Sequence, residues 1–378
     1  MVGVITKRKK RIFFVLTCCF IICIPVFCYF GYFAYKKLTL SYNYCGSYGE
    51  LDEELGWKLK ENTSSCFSGT NYLTGETFFD SKIYTNNLGF RDIGTNRDVP
   101  AGAVTAIGDS WTFGYGVNYE ETFPYLLSQK INFPVVNMGI PAYGSGSTLL
   151  LFERYVNQIR PSTVIYVTHG FWTRSLCFSE EKPTENLVPC FWWNDQSKHV
   201  ELIKPQPGKV FEQAGKHVHP GGSLTAGYDN LEYFFIIKPL AIMNQIKSKV
   251  LAKLTSARKL SGGKLIDDYR TGPVLEYTLR RYARLAKEYG FVFLMIDPAN
   301  WYKPYLGNAR KDFDASIIHI GTSEWEKDIA GPASKLPPQL RLVPKDGHYA
   351  IGFNQLIAKK IADALPNVRR QPNVDQLS

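Results

Sequence analysis

Apolar residues in the middle of the chain fall into two kinds of pattern. Residues 103–107, 134–137 and 163–168 form short apolar runs, whereas apolar positions recur at helical spacing in residues 147–159. The first pattern predicts strands buried on both faces, and the second predicts an amphipathic helix. Residues 121–131 fit a further helix. Strand and helix therefore alternate through this region.

The alternation returns near the end of the chain after an interruption. Residues 176–270 are rich in Pro and Gly and indicate an insertion, after which residues 273–289 predict a helix, 291–296 a strand and 349–365 a closing helix. Strands that alternate with helices favour a three-layer α/β/α domain with a parallel sheet. We place this domain at residues 101–368.

The N-terminal end predicts a membrane anchor. Residues 1–11 end in five basic residues, and residues 12–35 carry no charged side chain. A helix crosses a bilayer with about 20 apolar residues. A cleaved signal peptide is the alternative, but the long run that ends in bulky aromatic residues favours an uncleaved transmembrane helix. Because positive residues stay inside, residues 1–11 are expected to form a cytoplasmic tail, with the rest of the chain outside the cytoplasm.

Composition adds little to this division. Residues 38–100 are rich in Gly, Asn, Ser and Tyr and predict a loop-rich extension with short strands. The net charge is +10, of which +7 lies in residues 1–37, so +3 remains for the rest. No basic stripe interleaved with aromatic residues suggests a nucleic-acid partner.

Four cysteines lie outside the predicted anchor: Cys45, Cys66, Cys177 and Cys190. An even number is typical of disulfides in an oxidising compartment. Three pairings are open, and proximity along the chain favours Cys45–Cys66 and Cys177–Cys190.

A serine stands directly after the first predicted strand of the α/β domain, in the Gly-Asp-Ser of residues 108–110. Ligands of α/β sheets bind at the carboxyl ends of strands, and a helix that starts there favours negative charge. Ser110 is therefore a candidate nucleophile. A helix N-cap formed by Ser or Asp is the alternative interpretation.

A serine nucleophile needs a base, and the base needs an acid that orients it. Of the six histidines, His348 stands out because it follows Asp346-Gly just before the predicted closing helix. Residues i and i+2 of an extended loop point to the same side, so Asp346 can reach the imidazole of His348. A surface Asp-Gly turn is the alternative.

Together these residues resemble the SGNH/GDSL hydrolases, in which a Gly-Asp-Ser block is followed far downstream by Asp-x-His and a short helix. Three further blocks stand in the order of one bacterial branch: Leu-Gly-Trp-Lys-Leu-Lys at 55–60, Asn-Leu-Gly-Phe-Arg-Asp at 87–92 and Asn-Met-Gly-Ile-Pro-Ala-Tyr-Gly at 137–144. The resemblance covers roughly residues 50–175 and 275–365. It implies a flavodoxin-like SGNH fold and acyl transfer through the three residues Ser110, Asp346 and His348.

The resemblance also implies donors for the oxyanion, beginning with the backbone N–H of Ser110. The Gly of the family's second block falls on Ala142, with Gly139 nearby, and Ala keeps the N–H. The third block normally contains Asn, but residues 168–175 have none, so Thr173 or Arg174 is expected to donate instead. Losing one oxyanion donor can slow a reaction about 100- to 1,000-fold.

The implied function is an esterase that removes O-acyl groups, O-acetyl above all, from a cell-envelope or exported glycan. The protein would be a single-pass protein of the inner membrane with a periplasmic or otherwise extracytoplasmic catalytic domain. An O-acetyltransferase on the same glycans is an alternative. A single span cannot carry an activated acyl group across the bilayer. A transferase would therefore need a multispanning acyl-donor protein as partner. A non-catalytic glycan-binding or assembly protein is the third candidate, favoured by the missing Asn.

Other chemically suggestive residues carry less weight. Three histidines lack the partners at set spacing that zinc sites use, so no metal and no cofactor are expected: His199, His217 and His219. The Phe-Trp-Trp of residues 191–193 resembles a sugar-stacking platform, although aromatics beside a cysteine more often belong to the core. Trp111 and Tyr115 are better candidates for lining a pocket beside Ser110.

The topology can be tested with alkaline phosphatase fused after Ser378, which should be active because the predicted anchor exports the C-terminal part of the chain. The same fusion to a chain without residues 1–37 should be inactive. If the full-length fusion is also inactive, the predicted export of the C-terminal part is wrong. The expectation of an oxidising compartment for the cysteines then fails as well.

Overall fold

A computed structural model describes residues 29–31, 40–71, 75–141, 143–167, 189–205, 271–297, 317–321, 348 and 350–369. Two units are distinguished. The first comprises Met1–Asn43 and Ser68–Asp80, and the second comprises Tyr44–Phe67 and Ser81–Ser378. Ser110 and His348 both belong to the second unit.

The described strands, in chain order, are β1 (Leu40–Tyr44), β2 (Gly49–Asp52), β3 (Gly56–Leu59), β4 (Ser64–Asn71), β5 (Thr77–Thr85), β6 (Arg91–Asp92), β7 (Val104–Gly108), β8 (Val135–Gly139), β9 (Thr163–Val167), β10 (Cys190–Asn194), β11 (His199–Ile203), β12 (Val292–Asp297) and β13 (Ile317–Gly321). The helices used below are α1 (Ser110–Phe113), α2 (Phe123–Ile131), α3 (Ser145–Ile159), α4 (Thr271–Tyr289) and α5 (Ile351–Arg369). A 3₁₀ turn covers Tyr119–Glu121.

The first unit holds most of β1, the last four residues of β4 and the first four residues of β5. Strand β1 lies next to β4, and β4 lies next to β5. At the end of β4, the N–H of Asn71 donates to the carbonyl of Glu76, the residue before β5, at 2.7 Å. Gly69 is packed so closely that an added Cβ would lie 2.4 Å from the ring of Phe79.

Five neighbouring strands of the sheet in the second unit are parallel, in the order β8-β7-β9-β12-β13, and β13 is the strand at the edge among those described. Counted from β7, this is the order 2-1-3-4-5 of flavodoxin-like sheets, whose topological switch point lies beside the first strand. The parallel α/β core predicted from the chain pattern is therefore correct. Ser110 follows the strand at this switch point.

The sheet is mixed rather than purely parallel, which corrects the prediction of a parallel sheet. Strand β6 pairs antiparallel with β8, and β5 pairs antiparallel with β6. These strands come from residues 38–100, where the sequence predicts mainly loops, and this segment contributes strands to both units. In β5, buried positions alternate with exposed or half-buried ones, so few apolar residues stand in a row.

Helices cover the two faces of the sheet and make three layers. On one face, Ile165 of β9 and Leu294 of β12 share a buried cluster with Leu127 of α2 and Ile357 of α5. On the other face, the Phe293 ring stacks on Tyr282 of α4, the Tyr166 ring contacts the same tyrosine at a tilt, and α4 packs against α3. The predicted three-layer arrangement is thus present.

A disulfide joins Cys45 and Cys66, whose Cα atoms are 5.0 Å apart, and this confirms the first predicted pair. A link of this loop length contributes roughly 3 kcal/mol. Cys190 is also disulfide-bonded. Its predicted partner, Cys177, lies outside the described residues.

The anchor stays a prediction. Of residues 12–35, the structure describes only 29–31, which are helical. No helix within the described part of the chain combines the length and the apolar character needed to span a membrane.

The β2–β3 hairpin is held against the α/β domain by an ion pair. Both guanidinium NH2 groups of Arg154, on α3, donate to the Asp52 carboxylate at 2.6 and 2.9 Å. Beyond the hairpin turn, the Tyr143 hydroxyl donates to the carbonyl of Trp57. The Leu-Gly-Trp block is thereby fixed beside the loop that follows β8.

Replacing Asp52 with Asn should lower the free energy of unfolding at neutral pH and flatten its decline in acid. Burial raises the pKa of Asp52, but hydrogen bonds from Arg154 and from the N–H groups of Leu55 and Glu54 outweigh it and lower the pKa to about 2. The stabilisation is therefore complete above the unfolded pKa of about 4 and is lost as the pH falls towards 2. Urea unfolding between pH 2 and 7 measures the free energy of unfolding of both proteins at each pH. The exposed Asp80→Asn is the control, and identical pH profiles for Asp52→Asn and the parent would contradict this account.

Candidate active site

Ser110 is the first residue of α1, immediately after the buried strand β7. Asp109 is the N-cap of this helix, and its carboxylate accepts a hydrogen bond from the N–H of Trp111 at 2.9 Å. The capping role offered as the alternative for this motif therefore belongs to Asp109. The Ser110 hydroxyl remains available for another partner.

That partner is His348. Its Nε2 lies 2.8 Å from Oγ of Ser110, across 238 positions of sequence. With the imidazole neutral and its proton on Nδ1, the serine hydroxyl donates to Nε2, which is the arrangement required for removal of the serine proton. Ser110 is 7% exposed, so the contact is largely shielded from solvent.

Helix α5, which begins three residues after His348, is fixed to the core around Ser110. Phe353 belongs to the same buried cluster as Trp111, the residue after Ser110. The side-chain oxygen of Asn354, which is fully buried, accepts a hydrogen bond from the N–H of Phe123 at 3.2 Å. Trp111, considered above for a pocket, is therefore a core residue that connects the serine helix to the helix after the histidine.

Tyr115 lies against the histidine. Its ring stacks on the imidazole of His348 with centroids 4.3 Å apart and planes at 28°, and it also contacts Phe67 at 4.6 Å. The N–H groups of Gly114 and Tyr115 both donate to the Ser110 carbonyl at 3.0 Å. The turn after α1 is thus hydrogen-bonded to Ser110 and carries a ring that covers the imidazole of His348.

Arg91 is a part of the site that sequence reasoning missed. It is buried, and it donates to the carbonyls of Phe113 at 2.8 Å, Gly114 at 2.5 Å and Val117 at 2.6 Å. Burial lowers the pKa of Arg91 to about 10, which leaves the guanidinium charged at neutral pH. Its place in the Asn-Leu-Gly-Phe-Arg-Asp block was the available signal, but nothing in that block indicates the turn it would bind.

The oxyanion side of the site is described in part. For the Ser110 N–H no acceptor is found among the described residues, as an oxyanion donor requires. The Gly139 N–H donates instead to the side chain of Asn137 at 3.0 Å, so it is already hydrogen-bonded. A Cβ on Gly139 would lie 2.2 Å from the backbone nitrogen of Phe113. The glycine therefore permits the close approach of β8 to α1.

Four predicted site residues lie outside the described part of the chain: Asp346, Ala142, Thr173 and Arg174. The orienting acid and the replacement for the family's Asn therefore stay predictions. Within the described ranges, no group of three or more His, Cys, Asp or Glu side chains is placed to hold a metal ion.

The fold and the site define a class of protein: a flavodoxin-like α/β domain with a hydrogen-bonded serine and histidine at the carboxyl edge of its parallel strands. No family model and no curated protein matches the chain. Among solved structures, it is similar to a lipolytic protein of the G-D-S-L family from Desulfitobacterium hafniense, with 14% identity, a TM-score of 0.32, and coverage of 69% of this chain and 98% of the other. It is also similar to the psychrotrophic esterase EstA from a Pseudoalteromonas species, with 11% identity, a TM-score of 0.36, and coverage of 71% and 100%.

The substitution Gly139→Ala should lower the free energy of unfolding by about 1–3 kcal/mol, because the new methyl group collides with backbone atoms that cannot move aside. Gly102→Ala is the matched control. Gly102 has a φ of +78° but open space around its Cβ direction, so only backbone strain of about 1 kcal/mol is added. Urea unfolding measures the loss in the free energy of unfolding for each variant. A Gly139→Ala protein as stable as its parent would contradict the close packing.

Proposed function

We propose that the chain is an SGNH-type serine esterase that removes O-acyl groups, in particular O-acetyl groups, from a cell-envelope or exported glycan. The observation that carries this proposal is the 2.8 Å contact between Oγ of Ser110 and Nε2 of His348 at the carboxyl edge of the sheet. A serine that only caps a helix has no need of this partner. The four ordered sequence blocks support the same assignment.

The chemistry follows from the geometry. His348 removes the proton of Ser110 as Oγ attacks the ester carbonyl, and the resulting oxyanion is held by the N–H of Ser110, with the N–H of Ala142 as the proposed second donor. The protonated His348 then gives its proton to the departing alcohol of the glycan. Water, deprotonated by the same imidazole, releases the acyl group from Ser110. Asp346 is the proposed acid that stabilises the imidazolium.

The low exposure of Ser110 supports a small acyl group. The nucleophile is 7% exposed, and the Tyr115 ring covers the adjacent imidazole. An acetyl group adds only two carbon atoms beside Oγ, whereas a long acyl chain needs an open groove. The predicted anchor in turn supports an extracytoplasmic substrate made at or beyond the membrane, such as an acetylated polysaccharide.

The purified full-length chain should hydrolyse p-nitrophenyl acetate faster than p-nitrophenyl octanoate, and Ser110→Ala should lower kcat by about 10⁴- to 10⁶-fold. The variant should keep its stability, because it loses one hydroxyl and no core packing. Ser128→Ala is the matched control, since it removes a half-buried hydroxyl that donates to the Tyr125 carbonyl and should keep full activity.

Acetylated glycans test the natural substrate. Release of free acetate that depends on Ser110 supports the esterase. Acetate transfer to a glycan acceptor without net release would identify an acetyltransferase instead. Turnover of no ester by the folded wild-type protein, with glycan binding retained, would identify a non-catalytic glycan-binding protein.

A further inference from the structure

A buried positive charge lies behind the site without an acidic partner among its hydrogen bonds. Arg91 is 1% exposed, and its described acceptors are all main-chain carbonyls, three of them in residues 113–117 and the fourth Lys82 at 3.2 Å. Its Nε atom has no hydrogen-bond partner among the described residues. Burying a guanidinium in this way costs stability, because a buried charge is normally paired. This cost suggests that the arginine is retained for what it positions.

The three carbonyls in residues 113–117 that Arg91 binds belong to the turn at the end of α1. The guanidinium also lies over the Phe113 ring, 4.6 Å from the ring centroid, so the arginine contacts the side chain of this residue as well as its carbonyl. Gly114 and Gly116 take left-handed φ values of +81° and +79°. A Cβ on Gly114 would lie 2.2 Å from Thr122 and 3.2 Å from the guanidinium. The turn is therefore tight, and its carbonyls point inward at one fixed cation.

When the turn is held in this position, the ring of Tyr115 lies against the imidazole of His348. The second χ angle of histidine has broad wells, so the plane of an imidazole must be fixed by its surroundings. Here the Tyr115 ring lies at 28° to that plane, with Phe67 packed against the same tyrosine. A rotated imidazole would turn Nε2 away from Oγ of Ser110.

We propose that Arg91 is a positioning residue for the catalytic base: by binding three carbonyls of the turn at residues 113–117, it holds the Tyr115 ring against His348 and so directs Nε2 towards Ser110. This inference rests on the proposed function, because it takes His348 as the base. A purely structural role for Arg91 makes a different prediction, since loss of the arginine would then lower stability without changing the environment of the imidazole.

The first measurement does not depend on activity. The chain has six histidines, so the full-length protein labelled with ¹³C-histidine gives few ring signals, and His348→Gln identifies those of His348. The Tyr115 ring current should shift these signals upfield, and Tyr115→Leu should remove the shift whereas Tyr115→Phe should keep it. Arg91→Lys, which keeps the charge but loses the planar fork, should reproduce the Tyr115→Leu spectrum. Arg154→Lys alters an arginine that binds carboxylates instead and should leave the His348 signals in place.

The second measurement is kinetic. Arg91→Lys and Tyr115→Leu should each lower kcat for p-nitrophenyl acetate by about 10- to 100-fold, as expected for a misdirected catalytic group, with little change in KM. The double variant should be no slower than the slower single variant, because both changes act through the same ring. Tyr115→Phe should retain the wild-type pH profile of kcat/KM.

Three results would overturn the proposal. A folded Arg91→Lys protein whose His348 signals match the wild type would show that the arginine does not place the ring. Additive losses in the double variant would show two independent roles. Failure of Arg91→Lys, Arg91→Gln and Arg91→Met all to fold would show that Arg91 is needed for the fold as a whole. If the wild type hydrolyses no ester, the proposed function fails by itself, while the spectra still decide what Arg91 does.

Discussion

The end of β7 is crowded, and the arrangement of the site depends on that crowding. A Cβ on Gly108 would lie 2.3 Å from Oγ1 of Thr112 and 3.1 Å from the Val167 carbonyl, so the strand turns directly into α1 with no space to spare. Gly139, at the end of the neighbouring strand, approaches the same helix from the side. Ser110 thereby leaves the sheet at its carboxyl edge in one orientation, where loops from distant parts of the chain converge.

The segment before the α/β domain supports this edge instead of merely linking it to the N-terminus. Strand β6 carries Arg91 to the turn after α1, and the β2–β3 hairpin accepts the Tyr143 hydroxyl at Trp57. Each of these blocks therefore contacts a loop that flanks Ser110. This explains physically why the Leu-Gly-Trp and Asn-Leu-Gly-Phe-Arg-Asp blocks accompany the serine motif in one chain.

Stability and function have different requirements at this edge. A guanidinium buried among carbonyls, with no partner for its Nε in the part of the chain that the structure describes, is a poor choice for stability compared with an apolar side chain of similar volume. It is a good choice for holding several carbonyls at once, because the planar fork donates in fixed directions. Local departures from packing rules concentrate where geometry must be precise, and the Arg91 cluster fits that pattern.

The sequence by itself determined the features that local signals carry. Short apolar runs predicted β7, β8 and β9, and proximity along the chain predicted the Cys45–Cys66 bridge. The position of Ser110 directly after such a run predicted its place at the carboxyl edge of the sheet. Only the tertiary structure decided that the polar, alternating β5 joins the same sheet, that Trp111 belongs to the core, and that the Gly139 N–H is bonded to Asn137. These outcomes depend on contacts between residues far apart in the chain, such as Arg91 with Val117 or Ser110 with His348. The periodicity of a segment reports which face of it is buried, but it contains no information about what packs against that face.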